Sequence, residues 1–373
     1  MKLRLCLALL VACALVVTVF ACQREQKVYL GYVAGLRGLG SELGQAGFNG
    51  AVLAVENINH QGGIDGRQVE LLVRDHLGDT DLAIEEVHEL VEAGCVAFIG
   101  QMLSQKSVKV LPALQGSGIV MVSPTTATSE LSEKDDQFLR IYPDERLFAS
   151  RLARYASREQ GLRHMVVVAN SDNRSFSEPW IRNFSDFYIG AGGVSVERIW
   201  FSNGSGGTFA AAAVETLKGH PDGVVILANA RDSGMLAQHI RRHDRDIALF
   251  TAEWSFAGDL LRYGGQAVDG LTMLQTFDPD SARQGYIRFS QQYQEMFKRA
   301  PGFAAVNSYD AVMLTAQALR QQKSGETLKQ ALLRQGEFQG LQVPMNMDRY
   351  GDIKRPLFMT RIVNGQVTRI VQP

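Results

Sequence analysis

Residues 48–73 read Phe-Asn-Gly-Ala-Val-Leu-Ala-Val-Glu-Asn-Ile-Asn-His-Gln-Gly-Gly-Ile-Asp-Gly-Arg-Gln-Val-Glu-Leu-Leu-Val, and this run decides the fold. Phe48, Ala51, Val52, Val55 and Ile58 recur at helical spacing and predict one buried stripe of a helix. Gly62 and Gly63 end that helix, because glycine reaches the left-handed cap conformation without strain. Residues 69–73 then read as a short buried strand, and residues 28–33 read as another before the helix. Strand, helix, strand is the opening of a parallel sheet with a right-handed crossover.

The alternation continues outward from there. Strands are predicted near 96–100, 119–123, 138–142, 165–170, 194–201, 223–228, 248–252 and 270–275, with amphipathic helices at 80–93, 146–159, 207–218 and 231–243. Such alternation means parallel sheets with helices on both faces. Ten strands are too many for one comfortable open sheet, so they divide between two lobes. Composition marks three places where the chain can pass between lobes: around 142–146, at the turn-rich Thr-Phe-Asp-Pro-Asp of 276–280, and around 339–343. Three helical stretches fill 281–335. Near the end, Asn364-Gly365 separates two extended runs and predicts a tight hairpin.

With 373 residues, 46% apolar and 21% charged, the chain has the composition of a soluble globular protein of about two domains. Residues 1–22 are read as an export signal, with Lys2 and Arg4 as the positive start and Leu5 to Phe20 as the apolar core. Removing Lys2 and Arg4 takes the formal charge from -1 to -3, so nothing attracts a polyanion and nucleic-acid binding is not expected. Val19-Phe20-Ala21-Cys22 looks like a bacterial lipobox, in which Cys22 is lipidated and holds the exported domain at a membrane, facing the periplasm or cell exterior. Beyond the leader and Cys22 only Cys95 remains, at the start of an apolar strand, where it reads as a small core hydrophobe.

The run 48–73, with the glycine-rich loop Gly35 to Gly44 before it, resembles the opening signature of the type I periplasmic substrate-binding proteins of the leucine/isoleucine/valine-binding family. The resemblance extends over roughly the whole mature chain. It implies an α/β fold of two Rossmann-like lobes with parallel sheets joined by three crossovers. The lobes would be 27–145 plus 277–341, and 146–276 plus 342–373. It also implies capture of a small ligand, an amino acid or analogue, between closing lobes, with delivery to the membrane permease of an ABC transporter. The same fold can instead hand its closed state to a signalling receptor, or serve protein contacts alone.

In such a fold the ligand sits at the carboxyl ends of the strands. Ser104 follows the strand 96–100 and opens a helix; in the resembled family a serine there holds the ligand carboxylate, although Ser104 can equally cap its own helix. The stretch 123–132, Ser-Pro-Thr-Thr-Ala-Thr-Ser-Glu-Leu-Ser, resembles the family element whose amides and threonine hydroxyl complete the carboxylate site. Ala127 falls where that threonine is expected, with hydroxyls one place off at Thr126 and Thr128, which leaves backbone contacts at Thr125 and Ala127. Glu253, emerging from the strand 248–252 beside Trp254, matches the acid that receives the ligand ammonium, or else makes a structural ion pair or cap. The resemblance matches Leu43 and Asn229 to further cleft positions of the family, and either Arg174 or Phe176, depending on a two-residue alignment choice. Polar Asn229 and Arg174 would suit a ligand with a second polar group; Phe176 would keep the pocket apolar.

Enzyme readings find little. Gly35-Leu-Arg-Gly-Leu-Gly40 is not GxGxxG, and neither a GxSxG elbow nor a P-loop is present. His239 and His243 have the spacing of two metal ligands on a helix, yet Ile240, Arg241 and Arg242 between them supply no acid and no third ligand is evident. Neither cofactor nor metal is expected.

Overall fold

The computed structural model describes residues 27–38, 41–202, 208–256 and 260–370. The export signal and the lipidation candidate Cys22 lie outside the described residues. Five parallel strands make the first sheet: β1 (Val28–Ala34), β2 (Val69–Asp75), β3 (Ala97–Gly100), β4 (Val120–Ser123) and β5 (Phe138–Arg140), in the order β2-β1-β3-β4-β5. The second sheet holds parallel β6 (His164–Asn170), β7 (Ser195–Phe201), β8 (Gly223–Leu227), β9 (Ala248–Ala252) and β10 (Thr272–Gln275). Three short strands, β11 (Glu337–Gln339), β12 (Pro344–Met347) and β13 (Ile353–Lys354), form an antiparallel sheet of their own. The last hairpin, β14 (Phe358–Val363) and β15 (Gln366–Arg369), extends the second sheet antiparallel to β10, giving β15-β14-β10-β9-β8-β6-β7. Asn364 (φ 51°) and Gly365 (φ 73°) give its turn the two left-handed residues that a tight hairpin needs.

Helices cover these sheets: α1 (Glu42–His60), α2 (Thr80–Glu92), α3 (Ser104–Val110), α4 (Glu145–Arg154), α5 (Arg174–Gly190), α6 (Phe209–Leu217), α7 (Ala230–His243), α8 (Leu260–Gly264), α9 (Gln284–Phe297), α10 (Phe303–Gln321) and α11 (Leu328–Gln335). The fold is α/β with two parallel-sheet lobes, as the alternation requires. One apolar cluster runs through both lobes, and a separate cluster fills one face of each sheet. Burying a side chain such as Ile58 or Phe98 contributes about 1.5–3 kcal/mol each.

Helix α1 is buried more widely than its sequence stripe, with Leu53 and Ala54 inside and Phe48 and Val52 only half covered. The reason is α10, which packs on α1 from the far side. There a Cβ on Gly50 would stand 2.1 Å from the Ala305 carbonyl oxygen, so only glycine allows that approach. The chain leaves α1 as foreseen, through Gly62 (φ 94°) and Gly63 (φ 79°), the latter donating its amide to Ile58 O at 2.9 Å.

The third passage between the sheets falls later than 339–343. Arg140 of β5 donates its amide to Gly351 O at 3.0 Å, and its guanidinium meets Asp352 at 2.6 Å. Residues 344–354 therefore stay against the first sheet, and the chain enters the second only at Phe358. The extended pattern after 337 belongs to the small third sheet, and extended sequence alone does not say which sheet it joins.

In both large sheets the strand order reverses beside the first strand of the unit, between β1 and β3 and between β6 and β8. A ligand crevice forms outside such reversals, at the carboxyl ends of the strands.

Candidate ligand-binding site

The loops leaving these strand ends meet in one cavity. Leu43, Met102, Leu103, Ser104, Thr125 and Ala127 come from the first sheet's side; Asn173, Phe176, Trp180, Ala252, Glu253 and Trp254 come from the second. Tyr142, Phe148 and Phe303 complete it near the passages between sheets. The free space among them is about 30 Å³, enough for about one water molecule. A ligand of amino-acid size enters only as the walls separate.

On the first wall, the N-cap of α3 is Leu103, so Ser104 does not cap its own helix. Its hydroxyl oxygen instead accepts the amides of Ala127 and Thr128, both at 3.3 Å. Thr125 gives its hydroxyl hydrogen to Met102 O at 2.6 Å. Ser123 donates to Gln101 O at 2.8 Å and accepts the Thr126 amide at 3.1 Å. Loop 123–128 is thus stapled to segment 101–104 by a connected network, which fixes both against each other. Thr126 lies behind the wall: its hydroxyl donates to Gln101 O at 3.2 Å, sits 2.6 Å from Ser107 Oγ, and does not line the cavity.

On the second wall, Phe176 meets Trp254 edge to face, ring centres 6.0 Å apart. Tyr142 stacks on Phe148 at 5.2 Å and leans toward Phe303 at 6.0 Å. The two sides also touch directly: Gln105 accepts from the amide and hydroxyl of Ser175 at 3.0 and 2.9 Å, and donates its own amide to Asn173 Oδ1 at 3.1 Å.

Glu253 is buried, at 1% exposure, and its carboxylate accepts from four donors of the protein itself. These are Tyr142 Oη (2.7 Å), the Thr276 amide (2.9 and 3.0 Å), the Thr276 hydroxyl (3.0 and 3.2 Å) and the Phe277 amide (3.2 Å). Burial pushes its pKa up; the Thr276 amide, the two hydroxyls and the Arg355 charge pull it back. Arg355, itself buried, bonds Asn307 Oδ1 at 2.8 Å, Thr276 O at 3.2 Å and Ile141 O at 3.5 Å. Glu253 and Arg355 together join residues of all three passages between the sheets.

Of the positions singled out in the sequence, Leu43, Ser104, Thr125, Ala127, Glu253 and Phe176 therefore share the cavity wall. Asn229 does not: it caps α7, accepting the Asp232 amide at 2.9 Å and donating to the Asp232 carboxylate at 3.0 Å. Arg174 does not either, since it pairs with Glu178 at 2.8 Å and lies 4.8 Å over the Trp200 ring. Sequence reasoning missed Met102, Asn173, Tyr142, Phe148, Trp180 and Phe303. The aromatic spacing within α5 carried some signal for Trp180; the convergence of the others depends on tertiary packing.

A family model described as periplasmic binding protein matches residues 27–366. The leucine-specific-binding protein of Salmonella typhimurium is 23% identical over 331 residues, covering 86% of this chain and 87% of that one. The Leu/Ile/Val-binding protein BraC3 of Rhizobium johnstonii is 30% identical over 115 residues, a match that spans only 31% of either chain. Among solved structures, a leucine-binding protein, LivK, from Thermotoga maritima superposes with a TM-score of 0.84 at 19% identity, over 92% of this chain and 98% of that one.

Proposed function

The chain belongs to the periplasmic binding protein family, in its leucine/isoleucine/valine-binding branch, and from that premise we propose that it captures an amino acid or close analogue between two closing lobes. Members of the family are substrate-binding proteins and not enzymes. The observation that carries the reading is the single cavity where Ser104, Thr125 and Ala127 face Phe176, Trp254 and Glu253 across the two sheets. The Ser104 hydroxyl hydrogen and the Asn173 NH2 group, neither with an acceptor among the described residues, suit a carboxylate, and the aromatic lining suits an apolar body. The lobes are proposed as 27–145 plus 277–354, and 146–276 plus 355–373, with the closed form read by the membrane permease of an ABC importer. Export and anchoring through Cys22 belong to the same proposal. The relatives' names support this reading: the Salmonella protein is leucine-specific.

Closure needs a ligand that favours the closed form. Moving a population from 1:99 to 99:1 takes roughly 5.5 kcal/mol of differential binding. Burial of an apolar body against six aromatic rings, plus one charge-assisted carboxylate site at about 1.5–3 kcal/mol, is of that size.

The test is the melting temperature of the purified protein against amino acids, small carboxylates, amides and purines. A ligand held at about 100 times its Kd adds about 2.7 kcal/mol to stability. The expected result is a shift from an amino acid or analogue that Ser104→Ala and Phe176→Ala both reduce. A shift confined to purines, or none at all, would turn the function toward another ligand or toward protein contacts.

A further inference from the structure

Beside the ligand cavity lies a second pocket, of about 320 Å³, which shares Leu43, Met102 and Leu103 with it. Those three side chains are the partition between the two spaces. The second pocket is built at the same carboxyl ends of strands. Arg37 comes after β1, His76 after β2 and Gln101 after β3; Lys106 stands on α3, Ser41 brings the start of α1, and Asp172 comes after β6 of the other sheet. From its charges and unused donors we infer that this pocket is a binding site for a small oxyanion, separate from the groups around Ser104. The oxyanion is the acidic side-chain end of a captured amino acid that reaches past Leu43, or a free inorganic anion. The first source rests on the capture reading above; the second does not.

Gln101 gives the first observation. Its side chain is fully buried, and its amide nitrogen has no partner among the described residues. His76 fixes which way that amide points. Burial and the Lys106 charge hold the His76 pKa down, so the ring is neutral. The Gly78 amide donates to His76 Nδ1 at 3.0 Å, which places the ring hydrogen on Nε2, and Nε2 donates to Gln101 Oε1 at 3.0 Å. The Gln101 nitrogen is thereby left as a buried donor with nothing to bind. Such a donor is costly, and an anion beside it removes the cost.

Lys106 gives the second. It donates to the Gly78 carbonyl and to Thr80 Oγ1 at 2.6 Å, which uses two of its three hydrogens. Burial pulls its pKa down, and Asp79 and Asp81 pull it back, yet among the described residues no carboxylate lies within ion-pair distance of it. Arg37 adds another cation: its Nε pairs with Asp75 at 2.6 Å, and its two terminal NH2 groups have no acceptor among the described residues. The start of α1 adds the positive end of a 19-residue helix that no side chain caps. Against these stands one lining carboxylate, Asp172. The pocket thus holds two cationic side chains to one anionic, whereas the only charged side chain of the ligand cavity is the anionic Glu253. An added anionic group finds its compensating charge on this side of the partition.

The test is titration calorimetry at constant ionic strength with leucine, glutamate, 2-aminoadipate and sodium sulfate. Glutamate and 2-aminoadipate carry an acidic end on side chains of two lengths, and sulfate is the free oxyanion. At least one of these three anions is expected to bind, and Lys106→Gln should weaken it about 5-fold or more while leucine stays within about 2-fold. Weakening confined to the acidic amino acids assigns the oxyanion to the captured ligand; weakening confined to sulfate assigns it to a free anion. Arg37→Gln, a change on an exposed side chain, gives the same reading should Lys106→Gln not fold. Asp172→Asn, which removes the opposing charge, should tighten the same anion about 2-fold or more, a gain that a merely structural role would not produce. No anion binding, or anion binding that Lys106→Gln and Asp172→Asn both leave unchanged, overturns the inference. Leucine binding alongside that result leaves the capture function standing. Sulfate binding that depends on Lys106, with no amino acid bound, upholds the oxyanion site and overturns capture.

Discussion

The two walls of the cavity come from lobes of the same architecture, yet they hold their polar groups in opposite conditions. On the first wall, Ser104 and Thr125 are positioned by hydrogen bonds that leave the Ser104 hydrogen without an acceptor among the described residues. On the second, Glu253 is fully engaged before any ligand arrives. Burial is alike, at 3% exposure for Ser104 and 1% for Glu253. The difference teaches that a buried polar residue in a binding cavity is a ligand contact only where its partners leave capacity over.

The sharpest way to break this contrast is Glu253→Ala. If the acid is a structural tie, its removal leaves two amides and two hydroxyls without a partner beside the Arg355 charge. Unfolding free energy, measured by urea denaturation, should fall by about 3–5 kcal/mol. A fall under about 1 kcal/mol, with ligand affinity lost, would make Glu253 a reserved ligand contact and erase the difference between the walls.

Asp310 shows what Glu253 would be without its donors. It is equally buried and near Arg355, but its Oδ1 accepts only the Leu341 amide, at 3.0 Å, and Oδ2 has no partner among the described residues. Burial pushes its pKa to about 7, against the Arg355 charge that pulls the other way. A raised folded pKa means the folded state holds the proton more tightly than the unfolded one. Stability from this group is therefore highest below the ordinary aspartate value of 3.8 and is lost as pH rises toward about 7. Asp310→Asn should remove that slope and raise stability at pH 8 by on the order of 2–4 kcal/mol relative to its effect at pH 4. Chemical denaturation at the two pH values checks it, and a flat difference would mean that Asp310 stays ionised.

Ser104→Ala tests the first wall. Loss of one hydroxyl donor to a carboxylate should cost about 1.5–3 kcal/mol of binding, about 10-fold or more in Kd by calorimetry. Unchanged affinity would leave the Asn173 NH2 group, with the Ala127 and Thr128 amides that the substitution frees, as the carboxylate site.

How legible each wall was follows the same division. The strand ends were readable, because β1, β3, β4, β6 and β9 are apolar runs closed by turn residues, and the loops at their carboxyl ends carry Ser104, Thr125 and Glu253. Position on the wall was thus in the sequence. The condition of each group was not, because Glu253 depends on Thr276 and Tyr142, 23 and 111 residues away. Nothing local marks such a pairing. The same limit moved the third passage, since β12 and β13 look like any extended run until Arg140 is seen to reach Asp352.

Arg174 and Phe176 give the finest version of the comparison, two residues apart at the start of α5. Their side chains point to different fates: Phe176 is 8% exposed and walls the cavity, whereas Arg174 is engaged outside it by Glu178 and the Trp200 face. An exposed pair on a helix and an exposed cation–π contact are each worth about 0.3–1 kcal/mol. Arg174→Ala should therefore lower stability by about 1 kcal/mol or less and leave Kd within about 2-fold. Loss of binding in Arg174→Ala comparable to that in Phe176→Ala would place the ligand across the start of α5 instead of against Trp254. The second wall would then offer an ion where it now offers rings, and the ligand would need an acidic group at its far end.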